Sequence, residues 1–172
     1  MDMITALAVS IGGLALVATY AFLGPLGGAG LHLWAVFIGW ASFYGCGGKA
    51  AGLQASLVAN IWGAFLALVA LIIVTQVPLG ATLGVPLWAG IVVGASVVVL
   101  VLGAKVPALA AIPSSVYGYA SVAALFLLTK EAGANLLSPS VANPFVAIVV
   151  SMAIGHVFGF VSQQIAGAIA KS

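Results

Sequence analysis

Between Lys49 and Lys105 the chain carries no formal charge at all. A soluble domain cannot hide such a stretch, because ordinary soluble sequences devote about a quarter of their residues to charged side chains. Asp2, Lys130, Glu131 and Lys171 complete the charged set of a 172-residue chain in which 65% of the residues are apolar. Such a sequence has no means of covering itself with a water-facing surface and reads as an all-α polytopic membrane protein. An outer-membrane barrel would need alternating segments of about ten residues; the apolar runs here are longer and do not alternate.

Crossing a hydrocarbon core of about 30 Å takes about 20 helical residues. On that ruler the chain divides into six segments, approximately 3–23, 31–44, 52–76, 87–104, 106–129 and 143–169, which together form a single transmembrane domain over residues 1–172. Glycine and proline mark the breaks at Gly24-Pro25 to Gly30, at Gly45-Cys46-Gly47-Gly48, from Pro78 to Pro86, at Pro107, and before Pro144. The first stretch, Met3 to Leu23, is too long for a signal-peptide core and has no basic leader, so a retained helix is expected.

The lysines set an expected orientation. Basic loops stay on the cytoplasmic side, and with both termini inside, Lys49, Lys105 and Lys171 face the cytoplasm. Lys130 then lies outside beside Glu131. The expected location is the bacterial inner membrane, with the lipid bilayer as the first partner. Four scattered lysines and no arginine make no basic patch, so nucleic acid is not an expected partner. Cys46 is the sole cysteine, which excludes an intrachain disulfide.

A weak internal repeat relates residues 1–76 to residues 87–172. Phe37 to Gly45 aligns with Ala110 to Gly118, setting Ser42 over Ser115, Tyr44 over Tyr117 and Gly45 over Gly118. Ser56 to Gly63 aligns with Ile148 to Gly155. Three helices per half make the second half enter the membrane inverted, an arrangement that commonly builds a solute path at the shared midplane. The second and fifth segments are the interrupted ones: Leu31 to Tyr44 is short and ends in glycines, and its counterpart contains Pro107 and Pro113. Either these are helices broken at membrane depth, where only protein or a watery cavity can satisfy the backbone, or Gly47, Gly48 and Lys49 make an ordinary turn.

Few polar residues are available to line a path. Ser42, Tyr44, Asn60, Ser114, Ser115, Tyr117 and His156 are the candidates. An ionisable side chain in a span faces the bundle interior, so His156 serves either as a hydrogen-bonding path residue or as a neutral core histidine bonded to a carbonyl. Asn60 shares a helix face with Ser56 and Gly63, a stripe that either lines a path or joins helices. The tyrosines, Tyr119 included, read equally as interfacial anchors, as do Trp34, Trp40 and Trp88. His32 is expected at the interface. Gly155-xxx-Gly159, extended back to Ser151, and Gly90-xxx-Gly94 are small-residue packing seams within or between protomers. A homo-oligomer is expected because six short helices enclose little.

The run Trp34-Ala-Val-Phe-Ile-Gly-Trp-Ala-Ser-Phe-Tyr-Gly-Cys-Gly-Gly48, with Ile112-Pro-Ser-Ser-Val-Tyr-Gly118 and Gly155-His-Val-Phe-Gly-Phe160, resembles the bacterial inner-membrane family numbered 1097 among domains of unknown function. The resemblance implies a small polytopic membrane protein and assigns no site residues.

The expected function is a channel or facilitator for a small uncharged or weakly charged polar solute such as urea, a short amide or ammonia. The alternative is a non-transporting structural subunit of a larger membrane assembly. No nucleophile and base pair, metal cluster or cofactor motif is visible, so neither an enzyme nor a cofactor is expected.

Overall fold

The computed structural model describes residues 1–130 and 132–170, and among them every regular element is helical. The roles given above to Glu131 and Lys171 lie outside the described residues. The helices are α1 (Met3–Leu23), α2 (Leu33–Gly45), α3 (Lys49–Gln76), α4 (Gly80–Leu83), α5 (Val85–Leu102), α6 (Ile112–Leu128) and α7 (Pro144–Ile169). Short 3₁₀ turns follow α5 at Gly103–Lys105 and Pro107–Leu109, and another, Ala132–Asn135, follows α6.

Four helices are long and apolar enough to cross a membrane: α1, α3, α5 continued to Lys105, and α7. Helices α2 and α6 are apolar but have only 13 and 17 residues, roughly 20 and 26 Å at the helical rise. The chain is thus a multi-pass helical membrane protein by length and composition.

Local chemistry explains the boundaries. The fifth segment, expected over 106–129, becomes regular only at Ile112. Pro107 pushes Val106 into an extended conformation, and two 3₁₀ turns occupy the space before α6. Pro113 falls in the first turn of α6, where its missing N–H leaves no helical bond unmade. Between α2 and α3 the chain reverses within Cys46-Gly47-Gly48. Gly47 and Gly48 have φ of 85° and 66°, a left-handed geometry open to glycine. The third helix therefore begins at Lys49 rather than at residue 52.

Helices α3 and α7 form the centre. α2 lies along α7 and α6 lies along α3, while α3 and α7 also touch each other. The outer helices attach in the same way, α1 on α7 and α5 on α3. Glycines allow the closest approaches. A β-carbon at Gly63 would run into the main chain of Ser115, and one at Gly118 into that of Asn60. On the other side, a β-carbon at Gly39 would strike the main chain of Met152, and one at Gly155 that of Val36. Helix association in lipid lacks a hydrophobic driving force, so this backbone proximity and the hydrogen bonds it permits hold the bundle together.

Helix α5 is the most peripheral, with only Val92 and Leu100 buried. Two polar ties hold it: Trp62 Nε1 donates to the Leu100 carbonyl at 3.3 Å, and the hydroxyls of Ser96 and Tyr119 lie 2.8 Å apart.

Candidate functional site

The interior of the four inner helices is stratified. At the start of α6, Ser114 collects three neighbours. Ser42 Oγ donates to its hydroxyl at 2.9 Å, Cys46 Sγ lies 3.3 Å from that hydroxyl, and Asn60 Nδ2 donates to its carbonyl at 2.6 Å. The side chains flanking the Gly45 and Pro113 breaks therefore meet in direct contact. Ser42, Asn60, Ser114 and Ser115 are all at most 2% exposed.

This polar stratum is incompletely satisfied by protein. Among the described residues, Asn60 Oδ1, Ser115 Oγ, Ser121 Oγ and His156 Nε2 are buried side-chain atoms without a hydrogen-bond partner, as is Trp88 Nε1 on the outer helix α5. The opposite ring nitrogen of His156, Nδ1, lies 2.6 Å from the Met152 carbonyl. A carbonyl only accepts, so Nδ1 carries the proton and Nε2 of the neutral ring is left as an acceptor. Asn60 Oδ1 is an acceptor too. Two of the four interior atoms thus call for a donor, and the two serine hydroxyls can serve as either.

A second stratum is wholly apolar. Ala35 of α2, Ala64 and Ala67 of α3, Val122 and Leu125 of α6, and Ala147, Ile148 and Met152 of α7 form one buried cluster. On α6 it follows Ser114, Ser115 and Ser121; on α7 it precedes His156. Beyond it, where α2 begins and α6 ends, lies a cavity of about 200 Å³ lined by Gly30, His32, Leu125, Thr129, Asn135 and Pro144.

Not every sequence candidate joins the polar stratum. Tyr44 points its hydroxyl to Ser162 of α7, at 2.8 Å. Tyr117 is 43% exposed and lines an outer groove of about 540 Å³ between α2 and α6, with Trp34, Ile38 and Ser121 among its neighbours.

Sequence reading missed Ser162, the hub between α1, α2 and α7. Its Oγ donates to the Gly159 carbonyl at 2.7 Å and accepts from Trp40 Nε1 at 3.1 Å, while Ser10 Oγ donates to its main-chain carbonyl at 2.9 Å. Since a hydroxyl has one proton, Tyr44 must donate to Ser162. The signal was present: Ser151, Gly155, Gly159 and Ser162 are spaced by four, four and three along one face of α7. Gly155 and Gly159 both face α2, the latter against the Phe43 and Trp40 rings, so this seam packs within the chain. Gly90 and Gly94 meet no neighbour.

Apolar helices of spanning length around a buried, partly unsatisfied polar interior define a multi-pass membrane protein. Within that class, the family model described as "Protein of unknown function (DUF1097)" matches residues 8–167, and the chain belongs to that family. No curated protein and no solved structure matches it.

Proposed function

We propose that the protein is a facilitator for a small neutral solute bearing N–H donors, of the urea, short-amide or ammonia type, and that α1–α3 and α5–α7 are inverted repeats around its path. The observation that carries the transport reading is the set of unpartnered atoms in the inner helices, Asn60 Oδ1, Ser115 Oγ, Ser121 Oγ and His156 Nε2. Leaving a buried polar atom unmatched costs about 1–3 kcal/mol. Four such atoms buried among the inner helices are costly unless a mobile polar species uses them, and the two obligate acceptors favour a species that donates. No carboxylate lies among them, which argues against cation coupling.

The repeat reading is supported by reciprocal packing. The pairs α2 with α7 and α3 with α6 exchange under a twofold, as do α1 with α7 and α5 with α3. Gly63 and Gly155 then occupy equivalent positions, in agreement with the sequence alignment of those helices. For the short helices, the close contacts favour Gly118 as the counterpart of Gly39 rather than of Gly45. That register places Ser121 over Ser42 and Ser115 over Val36. Six crossings with both termini in the cytoplasm complete this reading, with the short, uninterrupted helices α2 and α6 beside the path.

The test is flux into liposomes containing purified protein, compared across urea, acetamide and ammonia. Rates above those of empty liposomes, reduced by changes at Asn60, are expected. Rates equal to empty liposomes for all three solutes would refute transport.

A second reading, a structural subunit of a larger membrane assembly, draws on the open space at Gly90 and Gly94 of α5, a seam unused within the chain that suits a partner helix or a second copy. Mild-detergent purification separates these: a stoichiometric heteromeric partner favours the subunit, and a symmetric homo-oligomer favours the facilitator.

A further inference from the structure

The cavity of about 200 Å³ at the junction of α2, α6 and α7 holds no residue of the proposed solute path. Among the described residues its lining is largely apolar, and polar side chains reach it from His32 just before α2 and Thr129 just after α6. A few placed polar groups on an apolar wall are what small-ligand sites show. The frame around them is fixed. The main-chain N–H of His32 donates at 3.0 Å to Ser151 Oγ, which itself donates to the Ala147 carbonyl at 2.7 Å. Asn143 pins the loop that closes the cavity: Nδ2 donates to the carbonyls of Leu136 and Ser138, both at 2.9 Å, and Oδ1 accepts the Phe145 N–H at 2.9 Å. Gly30 forms part of the wall with φ of 69°, and a β-carbon there would press on the Val141 side chain.

Position supplies the second argument. Leu125 belongs both to the cavity wall and to the buried apolar cluster. Descending α6 from Thr129, one meets Leu125 and Val122, then Ser121, Ser115 and Ser114, a run of roughly 22 Å at the helical rise. Descending α7 from Pro144, one meets Ile148 and Met152, then His156. The cavity and the unpartnered polar stratum therefore lie on opposite sides of one apolar layer. Close-packed apolar side chains exclude water, and a hydrophobic constriction of this kind gates by dewetting.

We propose that this cavity is a vestibule that binds the neutral N–H-bearing solute through His32 and Thr129, and that the Leu125, Val122, Ile148 and Met152 layer beneath it is the closed gate to the polar stratum. The assignment rests on the transport reading and names where the solute first docks. At the vestibule the imidazole accepts an N–H donor, and the threonine hydroxyl matches either a carbonyl or an N–H. Affinity there is modest, since only a few atoms bind, and that suits a site that must also release.

The experiment uses the full chain in liposomes, with urea as the probe. In a Cys46→Ser parent, Thr129→Cys gives a single thiol at the vestibule. Labelling with a bulky methanethiosulfonate should remove most of the urea flux, and saturating urea should slow labelling severalfold. Separately, Thr129→Val, at an exposed position that leaves the fold intact, should raise the half-saturating urea concentration severalfold with little change in maximal rate. Full labelling, verified by mass, with undiminished flux and a labelling rate indifferent to urea would overturn the vestibule while leaving the transport reading intact. A parent whose flux equals that of empty liposomes would overturn the transport reading, and the vestibule with it.

Discussion

The side-chain amide of Asn60 donates to the main-chain carbonyl of Ser114 at 2.6 Å while the main chain of the same asparagine lies under Gly118. One residue of α3 therefore fixes both the height and the distance of the start of α6. Its Oδ1 remains unpartnered, so a single side chain combines a structural donor with an available acceptor. These two roles separate experimentally. Replacing Asn60 by leucine removes one interhelical hydrogen bond, worth about 0.6 kcal/mol on average in membrane proteins, and also removes the unmatched oxygen. Thermal stability in detergent should fall by less than about 1 kcal/mol. Urea flux should drop by roughly tenfold, the equivalent of one lost hydrogen bond near 1.4 kcal/mol in the transition state. A purely structural asparagine would leave the flux of folded protein unchanged.

Ser162 presents the opposite case, a polar group with every capacity used. Its hydroxyl donates once and accepts twice, from Trp40 and Tyr44. Ser162→Ala strands the buried Trp40 N–H, and Tyr44→Phe removes only a half-buried donor. The alanine variant should lose about 1–2 kcal/mol and the phenylalanine variant well under 1 kcal/mol. Combining the two should cost less than the sum, because both act through one hydroxyl. Unfolding midpoints of the two single variants and the double variant give the coupling directly.

Helix existence was legible because it depends on apolar length, and five of the six segments start within three residues of their place in the fold. The exception was the stretch before Ile112, where Pro107 and Pro113 were visible but the 3₁₀ turns between them were not. Close packing was legible in part. Gly155-xxx-Gly159 has a regular spacing and does face α2, whereas Gly39, Gly63 and Gly118 belong to seams in which the partner surface is another chain segment's backbone, and no spacing rule reveals which backbone that is. The polar candidates Ser42, Asn60 and Ser114 were found as rare residues in apolar surroundings and do come together. Rarity could not distinguish them from Tyr44 and Tyr117, whose hydroxyls or rings turn elsewhere according to helix rotation. The vestibule escaped notice because His32 and Thr129 come from two helix ends that only the fold brings together.

The start of α1 supplies a pH test outside the membrane. Asp2 caps the helix: Oδ1 accepts the Thr5 N–H at 3.0 Å and Oδ2 accepts the Thr5 hydroxyl at 2.6 Å. The Thr5 side-chain bond, followed by the Thr5 backbone bond, holds the carboxyl below its ordinary value. A depressed carboxyl stabilises the fold fully above its unfolded pKa, and that contribution disappears as pH falls through the lower folded value. Fraying of the first turn of α1 should therefore set in only below about pH 4. Thr5→Val removes the first of these bonds and should move the carboxyl titration upward, which a carbon-detected NMR titration of Asp2 reads.

The glycines give the sharpest contrast between positions with the same sequence pattern. At Gly63 and Gly155 a β-carbon would enter the main chain of the facing helix, with no flexible side chain to yield. The helices must then separate, weakening both the packing and the hydrogen bonds that depend on it, including Asn60 to Ser114 on one side and Trp40 to Ser162 on the other. Alanine at either position should cost about 1–3 kcal/mol or more, and the double variant should not accumulate as folded protein. At Gly90 and Gly94 a β-carbon has open space, and alanine is the better helix former by about 1 kcal/mol in an exposed helix interior. Those substitutions should leave the unfolding midpoint of the isolated chain unchanged or raised. If Gly90→Ala and Gly94→Ala lower the stability of the purified complex but not that of the dissociated chain, the loss locates an intermolecular helix contact on this face of α5. Matching midpoints before and after dissociation would show that α5 faces only lipid.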